Sequence, residues 1–90
     1  MSQIIRRASA GTLESSDVLV QIAPSDDGLH IRLDSVVQAQ FGDEILAVVR
    51  EVLNECGVEN AHVTVQDRGA LDCVIRARVE TAVNRGKEEV

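Results

Sequence analysis

Aromatic and basic residues are both scarce in this sequence. It has no Trp, no Tyr and a single Phe, Phe41, so we expect no platform on which bases or sugars stack. Its 9 Lys and Arg are outnumbered by 15 Asp and Glu, which gives a net charge of −6. This charge opposes association with a nucleic-acid backbone or an anionic membrane, so we expect neither as a partner.

Cysteines and long apolar runs are scarce as well. The two cysteines, Cys56 and Cys73, stand far apart with no Cys-x-x-Cys spacing, which argues against a redox dithiol or a zinc knuckle. The N-terminus offers only the apolar pair Ile4 and Ile5, too short for a signal peptide, and no segment is long enough to span a bilayer. The sequence therefore predicts one cytoplasmic domain, residues 1–90, with a thin core.

An apolar residue at every second position predicts two strands on either side of a turn at residues 24–28. The apolar positions are Val18, Val20 and Ile22 in the first strand and Leu29, Ile31 and Leu33 in the second. Because a short turn rich in Asp, Ser and Gly joins them, we expect a hairpin. Residues 1–12 follow neither the helical nor the strand period, which predicts a flexible N-terminal arm.

A long amphipathic helix should follow, with Ser35 as its N-cap, Gln38 completing a capping box and Gly57 ending it. Its apolar stripe consists of Val37, Phe41, Ile45, Val48, Val49, Val52 and Cys56. Ala61, Val63 and Val65 predict a third strand. Residues 70–85 fit a second helix better than a strand, and the helical stripe consists of Leu71, Val74, Ile75, Arg78, Val79, Ala82 and Val83. Residues 85–90 resemble a charged tail. These elements predict an α+β two-layer sandwich, in which two helices cover a small three-stranded mixed sheet in the order β-β-α-β-α.

Residues that could carry chemistry are few. His30 and His62 take outward positions on the second and third strands, where they could be neighbours, but no third ligand type stands at a useful spacing. Cys56 lies on the apolar stripe of the first helix and Cys73 early in the second helix, and both are interpreted as small core residues. We therefore predict no catalytic residue and no metal ligand.

Four arginines gather in the C-terminal third: Arg68, Arg76, Arg78 and Arg85. One interpretation is a docking patch for a phosphate-bearing group. The other, which we favour, is a solvated helix face with pairs such as Arg76 and Glu80.

Ser15 and Ser16 stand just before the first strand, in a segment that we expect to be an exposed loop. No base is near either hydroxyl in the sequence, so a self-acting serine nucleophile is not indicated. An exposed serine flanked by acidic and small residues is instead a reasonable substrate for modification by another enzyme.

Three segments, in this order, resemble the citrate lyase acyl carrier protein family, also called the gamma chain. They are Ala10-Gly-Thr-Leu-Glu-Ser-Ser-Asp-Val-Leu-Val continuing to Ile22-Ala-Pro24, then Gln40-Phe-Gly-Asp43, then Asp67-Arg-Gly-Ala-Leu-Asp-Cys-Val-Ile-Arg-Ala-Arg78. The resemblance covers roughly residues 10–85.

The resemblance implies a non-catalytic carrier whose Ser15 bears phosphoribosyl dephospho-coenzyme A through a phosphodiester, although Ser16 offers a second hydroxyl. It also implies that the thiol of this group carries acetyl and citryl thioesters while citrate is cleaved to acetate and oxaloacetate. The implied partners are the alpha (acyl transferase) and beta (citryl lyase) subunits and a prosthetic-group transferase. The alternatives are the carrier of malonate decarboxylase, a structural or interaction subunit without a cofactor, and, least favoured, a small enzyme that uses His30 and His62.

Overall fold

Four strands and two helices make up residues 3–88, the part of the chain that the computed structural model describes. In chain order they are β1 (Ala8–Gly11), β2 (Val18–Pro24), β3 (Leu29–Ser35), α1 (Gln38–Glu55), β4 (Ala61–Asp67) and α2 (Asp72–Lys87). None of the helices in this described part is long and apolar enough to cross a membrane. The α+β class, the two helices and the mixed sheet agree with the prediction.

The strands are arranged in the order β1-β2-β4-β3, with β4 antiparallel to β2 and parallel to β3. The predicted hairpin of β2 and β3 is therefore wrong, since β4 lies between them. The burial of the strands explains the arrangement. β4 buries Ala61, Val63 and Val65 completely or nearly so, which suits a central position. β3 has only half-buried apolar residues and exposes Arg32 and Asp34, which suits an edge.

The fourth strand, β1, corrects the predicted count of three and makes the order β-β-β-α-β-α. It occupies the last part of the segment predicted to be an arm and forms an antiparallel hairpin with β2. Its inward residues are alanines, of which Ala10 is only 3% exposed opposite Val20. Alanine has little β-propensity, so the alternation carries almost no signal in the sequence.

Helix α1 begins at Gln38, later than the predicted N-cap at Ser35, because Ser35 is still the last residue of β3. Only one bond of the predicted capping box is present, that from the Ser35 N–H to the Gln38 side chain, because the Ser35 hydroxyl binds the N–H of Val37 and not that of Gln38. The Ser35 N–H donates to Gln38 Oε1 (3.3 Å), and Ser35 Oγ accepts from the Val37 N–H (3.1 Å). At the other end Gly57 has a φ of 72°, the left-handed conformation expected after a helix.

Helix α2 confirms the helical alternative for residues 70–85 and continues to Lys87, into the predicted tail. Two contacts explain the extension. Gly86 is buried where a Cβ atom would lie 3.2 Å from Ile4 and Ile22, and Lys87 Nζ donates to the Cys56 carbonyl oxygen (2.8 Å). Residues 89 and 90 of the predicted tail lie outside the described residues.

The core lies between the helices and one face of the sheet, as a two-layer sandwich requires. It is aliphatic, and its completely buried members include Val18, Val20, Val49, Leu53, Val65, Val79 and Val83. Alternate residues of β4, such as His62 and Thr64, point to the opposite face, which neither helix covers. Cys56 is half-buried, but Cys73 is exposed, so the prediction that Cys73 is a core residue is wrong.

Candidate functional site

Residues 12–17 form the loop of the β1–β2 hairpin, at one end of the sheet. At this end Val18 pairs with Asp67, and Ser35 pairs with the other side of Asp67. We call the loop and these three strand ends the Ser15 end. Ser15 and Ser16 are both exposed in the loop, as the sequence predicts.

Asp17 organises the loop through hydrogen bonds to its carboxylate. Thr12 Oγ1 donates to Oδ2 (2.7 Å), and the Val18 N–H donates to Oδ1 (2.7 Å). Arg78 on α2 adds a bidentate contact, with Nε 3.1 Å from Oδ1 and Nη2 3.1 Å from Oδ2. These donors, of which the Thr12 hydroxyl has the largest effect, lower the pKa of Asp17 from 3.8 to about 2. The carboxylate is therefore ionised at neutral pH and ties the loop to α2.

A second set of bonds ties the loop backbone to the turn between β4 and α2. The Ser16 N–H donates to the Arg68 carbonyl oxygen (2.8 Å), and the Arg68 N–H donates to the Asp17 carbonyl oxygen (2.9 Å). Ser16 takes a φ of 66°, which is uncommon for a residue other than glycine. The chain thus turns sharply at Ser16, whose backbone is bound, and Ser15 precedes it on the exposed side.

Asp67 holds the turn between β4 and α2 in place. The residue is 1% exposed, and its carboxylate accepts hydrogen bonds from the Ser35 hydroxyl at Oδ2 (2.7 Å) and from the Ala70 N–H at Oδ1 (2.9 Å). One buried side chain therefore joins the end of β3, the end of β4 and the turn that leads into α2. The loop that bears Ser15 rests on this assembly.

The two histidines do not belong to the Ser15 end. They pair across β3 and β4, as the sequence allows, with ring centroids 4.8 Å apart and planes 17° apart. His62 lies five residues before Asp67, which places it roughly 16 Å from the Ser15 end of the strand. Neither histidine is therefore near enough to act as a base for Ser15.

Asp27 is a carboxylate that the sequence analysis did not associate with the histidines. Its Oδ1 lies 2.9 Å from His30 Nε2, and this contact lowers the pKa of Asp27. Within residues 3–88, Asp27, His30 and His62 form the group whose ligand atoms, all within 4.8 Å of one another, could hold a metal ion. All three residues are exposed.

The four arginines make separate tertiary contacts, so neither the shared phosphate patch nor the predicted pair of Arg76 with Glu80 describes them. Arg78 binds Asp17, Arg76 bridges to Glu51 (3.0 Å) and Glu55 (3.6 Å) of α1, Arg68 donates to the Asp67 carbonyl oxygen (3.1 Å), and Arg85 donates to the Ser9 carbonyl oxygen (2.8 Å). The three that lie on α2, Arg76, Arg78 and Arg85, join this helix to α1, to the Ser15 loop and to β1.

Exposed apolar side chains gather at the Ser15 end. Within the described residues they are Leu13, Val36, Phe41 and Leu71, whereas Ile5 is exposed elsewhere. An open groove of about 560 Å³ lies between the first turns of α1 and the turn before α2. Its apolar lining consists of Val37, Phe41, Ile45, Ala70, Leu71 and Ile75.

Phe41 and Leu71 are predicted on buried helical stripes, yet they are 45% and 71% exposed. The reason is that α2 begins only at Asp72, so the turn before it forms the far wall of the groove, and none of residues 3–88 covers these two side chains fully. Asp17 and Asp67 are likewise not predicted from the sequence as residues that support the site. Asp17 and its partner Arg78 are 61 residues apart, and no local pattern reports such a contact.

Comparisons with known proteins give the family. The matching family profile is described as "ACP: Malonate decarboxylase delta subunit (MdcD)" and covers residues 5–86. Proteins named citrate lyase acyl carrier protein are 56% identical over 88 residues in Escherichia fergusonii and 52% identical over 87 residues in Rhodopseudomonas palustris. These alignments cover 97% of this chain in both cases, and 91% and 90% of the relatives. A relative of the same name from Halothermothrix orenii is 44% identical, and the alignment covers 98% of this chain and 97% of the relative.

A solved structure supports the fold. One chain of the crystal structure of a Pseudomonas malonate decarboxylase hetero-tetramer in complex with malonate superposes with a TM-score of 0.80, at 21% sequence identity. The match covers 93% of this chain and 87% of the other. Because the sequence match to the curated carriers spans nearly the whole length of both partners, the chain belongs to the family of citrate lyase acyl carrier proteins.

Proposed function

We propose that this chain is the acyl carrier subunit of a citrate lyase and that it bears phosphoribosyl dephospho-coenzyme A on Ser15. The observation that carries the proposal is the geometry of the Ser15 loop. Ser15 is exposed on a hairpin loop whose backbone is hydrogen-bonded to Arg68 at the next two residues, Ser16 and Asp17. The chain is also 56% identical to a citrate lyase acyl carrier protein. An exposed loop position allows a transferase to reach the hydroxyl and leaves room for a large group.

The residues around Ser15 fit a phosphodiester-linked group. The carboxylate of Asp17, two residues after Ser15, is paired with Arg78, which reduces its repulsion of a phosphate. Ser16 fits less well as the attachment point, because its backbone is held against Arg68 in a left-handed conformation. Ser15 is therefore the residue that we assign to the covalent bond.

The protein's own contribution is to present a rigid base for a flexible arm. When bound, the group supplies a terminal thiol that carries the acetyl or citryl unit as a thioester. Asp17, Arg78 and Arg68 hold the loop at a defined place on the domain. A tether with a fixed origin keeps its end at a high effective concentration near any active site on which the domain docks.

In this proposal the chain supplies no catalytic group, and catalysis belongs to the alpha acyl transferase and beta citryl lyase subunits. A prosthetic-group transferase loads Ser15 beforehand. The complex works in the cytoplasm, and the net charge of −6 favours docking on basic partner surfaces.

The second candidate, the carrier of malonate decarboxylase, is supported by the description of the family profile. The identities of 44–56% to citrate lyase carriers favour the first.

Reconstitution separates these candidates. Loaded chain is mixed with citrate lyase alpha and beta subunits that lack a carrier, and oxaloacetate is measured through NADH oxidation by malate dehydrogenase. We expect citrate cleavage with the wild type and with Ser16→Ala, and none with Ser15→Ala. Equal rates with Ser15→Ala would contradict the assignment. Support for malonate decarboxylation with matching subunits, in place of citrate cleavage, would select the second candidate.

A further inference from the structure

The groove at the Ser15 end contains an unusual exposed aromatic. Phe41 is the single aromatic residue of Phe, Tyr or Trp type in the chain, and 45% of it is exposed. Leu71, 71% exposed, lies across the groove from the first turns of α1. Contiguous exposed apolar surface on a small protein commonly marks a binding site. Something apolar is therefore expected to cover these two side chains.

We propose that this groove binds the adenine base of the group attached to Ser15, with the face of the base against the Phe41 ring. The inference rests on the proposed function, because it requires that group on Ser15. Stacking on an aromatic side chain is open to any base, since every base has a π-face. The groove would then hold the part of the arm nearest the protein and leave the pantetheine part free.

Continuity between the attachment site and the groove supports this occupant. The Ser16 N–H is bonded to the Arg68 carbonyl oxygen, and Asp67, Gly69 and Ala70 on either side of Arg68 line the groove. Consecutive Cα atoms are about 3.8 Å apart, so the loop and the groove share one short turn. In phosphoribosyl dephospho-coenzyme A, only a phosphodiester and two sugars separate the base from the serine, whereas the pantetheine lies beyond the pyrophosphate.

The charges of the groove favour a base over a phosphate. Its charged lining consists of carboxylates, those of Glu44, Asp67 and Asp72, and no Lys or Arg from the described residues lines it. The Asp67 carboxylate is already engaged by Ser35 and Ala70, so Glu44 and Asp72, both exposed, remain as acceptors. Adenine is neutral and carries an exocyclic amine that donates hydrogen bonds. A pyrophosphate in the same place would be repelled.

Nuclear magnetic resonance of the loaded chain tests the assignment. The chain is labelled with ¹³C and ¹⁵N, the attached group is left unlabelled, and loading on Ser15 is first verified by intact mass and peptide mapping. Isotope-filtered spectra then detect contacts between the adenine protons and the protein. We expect contacts from the base to the Phe41 ring and the Leu71 methyl groups, together with upfield shifts of the adenine protons.

Two variants provide the comparison. Phe41→Leu keeps an apolar side chain and should abolish the upfield shifts while leaving loading intact. Val36→Ala, at an exposed apolar residue of the same end that does not line the groove, should leave the shifts unchanged. Amide spectra of the unloaded variants verify that both are folded.

The outcomes distinguish this inference from the proposed function. A loaded chain without contacts to Phe41, or with contacts from pantetheine methyl groups in place of adenine, overturns the adenine assignment and leaves the carrier function standing. A chain that a competent transferase does not load overturns both. Contacts that survive in Phe41→Leu with unchanged shifts also overturn the assignment, because they show that the ring is not the platform.

Discussion

Alanine substitution at two glycines should change stability in opposite directions. Gly11, the last residue of β1, has a φ of +94°, and a Cβ there would lie 1.8 Å from the Val18 carbonyl oxygen. Gly42, inside α1, has ordinary helical geometry, and its Cβ would lie 3.2 Å from Gln38 Cγ and 3.9 Å from Leu33 Cδ2. The Val18 backbone cannot move away from a Cβ at residue 11 without breaking the β1–β2 hairpin. The exposed Gln38 side chain, in contrast, can shift to admit a Cβ at residue 42.

The magnitudes follow from these contacts. At Gly11, strain at positive φ and overpacking against backbone together cost roughly 2–5 kcal/mol. At Gly42, the higher helix propensity of alanine stabilises by about 1 kcal/mol, less a small cost for moving Gln38. For a domain of this size, 1 kcal/mol corresponds to about 4–8 °C in Tm. We therefore expect Gly42→Ala to raise Tm by a few degrees and Gly11→Ala to lower it by roughly 10 °C or more.

Thermal and urea unfolding followed by far-ultraviolet circular dichroism measures both changes. Equal stability of Gly11→Ala and the wild type would refute the close approach of β1 to β2 next to the Ser15 loop. A loss of stability in Gly42→Ala greater than about 1 kcal/mol would refute the inference that the Gln38 side chain shifts to admit the added methyl group.

Three further predictions concern the support of the Ser15 loop. Arg78→Gln should speed hydrogen exchange of the Val18 amide and slow loading, whereas Arg76→Gln, which changes a contact to α1 instead, should do neither; equal effects would contradict the role of Arg78. Because the pKa of Asp17 is lowered, its contribution to stability should be complete above pH 3.8 and disappear as the pH falls towards 2. The amide chemical shift of Val18 should follow this titration in the wild type and stay constant with pH in Asp17→Asn. Asp67→Ala should cost about 3 kcal/mol of unfolding free energy in urea titrations, since the half-buried Ser35 hydroxyl and Ala70 N–H both lose their acceptor. A loss below about 1 kcal/mol would show that water replaces the carboxylate.

The sequence predicts those elements whose period is carried by large apolar residues. The stripe of α1 and the alternation of Val63 and Val65 in β4 are unambiguous, and both elements are present. For β1 the inward positions are Ala8 and Ala10, whose small side chains produce no visible period, so the strand is missed. The periodicity of the sequence thus identifies a helix or strand only when its buried positions are filled by large apolar side chains.

Pairing and tertiary contacts depend on the whole chain. The turn at residues 24–28 predicts that β2 and β3 are adjacent, but β4 buries more apolar surface and displaces β3 to the edge. Similarly, a helical stripe reports which residues face one side and not whether a partner covers that side, so Phe41 and Leu71 are misplaced in the predicted core. The Ser15 loop is identified from its motif, but the bond between Asp17 and Arg78 is visible only in the folded chain.

Identification of the modified residue by mass spectrometry tests the central claim most directly. The chain is incubated with a citrate lyase prosthetic-group transferase and the activated cofactor precursor, then digested with trypsin and a glutamate-specific protease. Cleavage after Glu14 and Arg32 isolates residues 15–32 and separates Ser15 from Ser9 and Thr12. We predict one addition per chain, on Ser15 by fragmentation, absent from Ser15→Ala and retained in Ser16→Ala. An unmodified chain, under conditions that load a known citrate lyase carrier, would contradict the account.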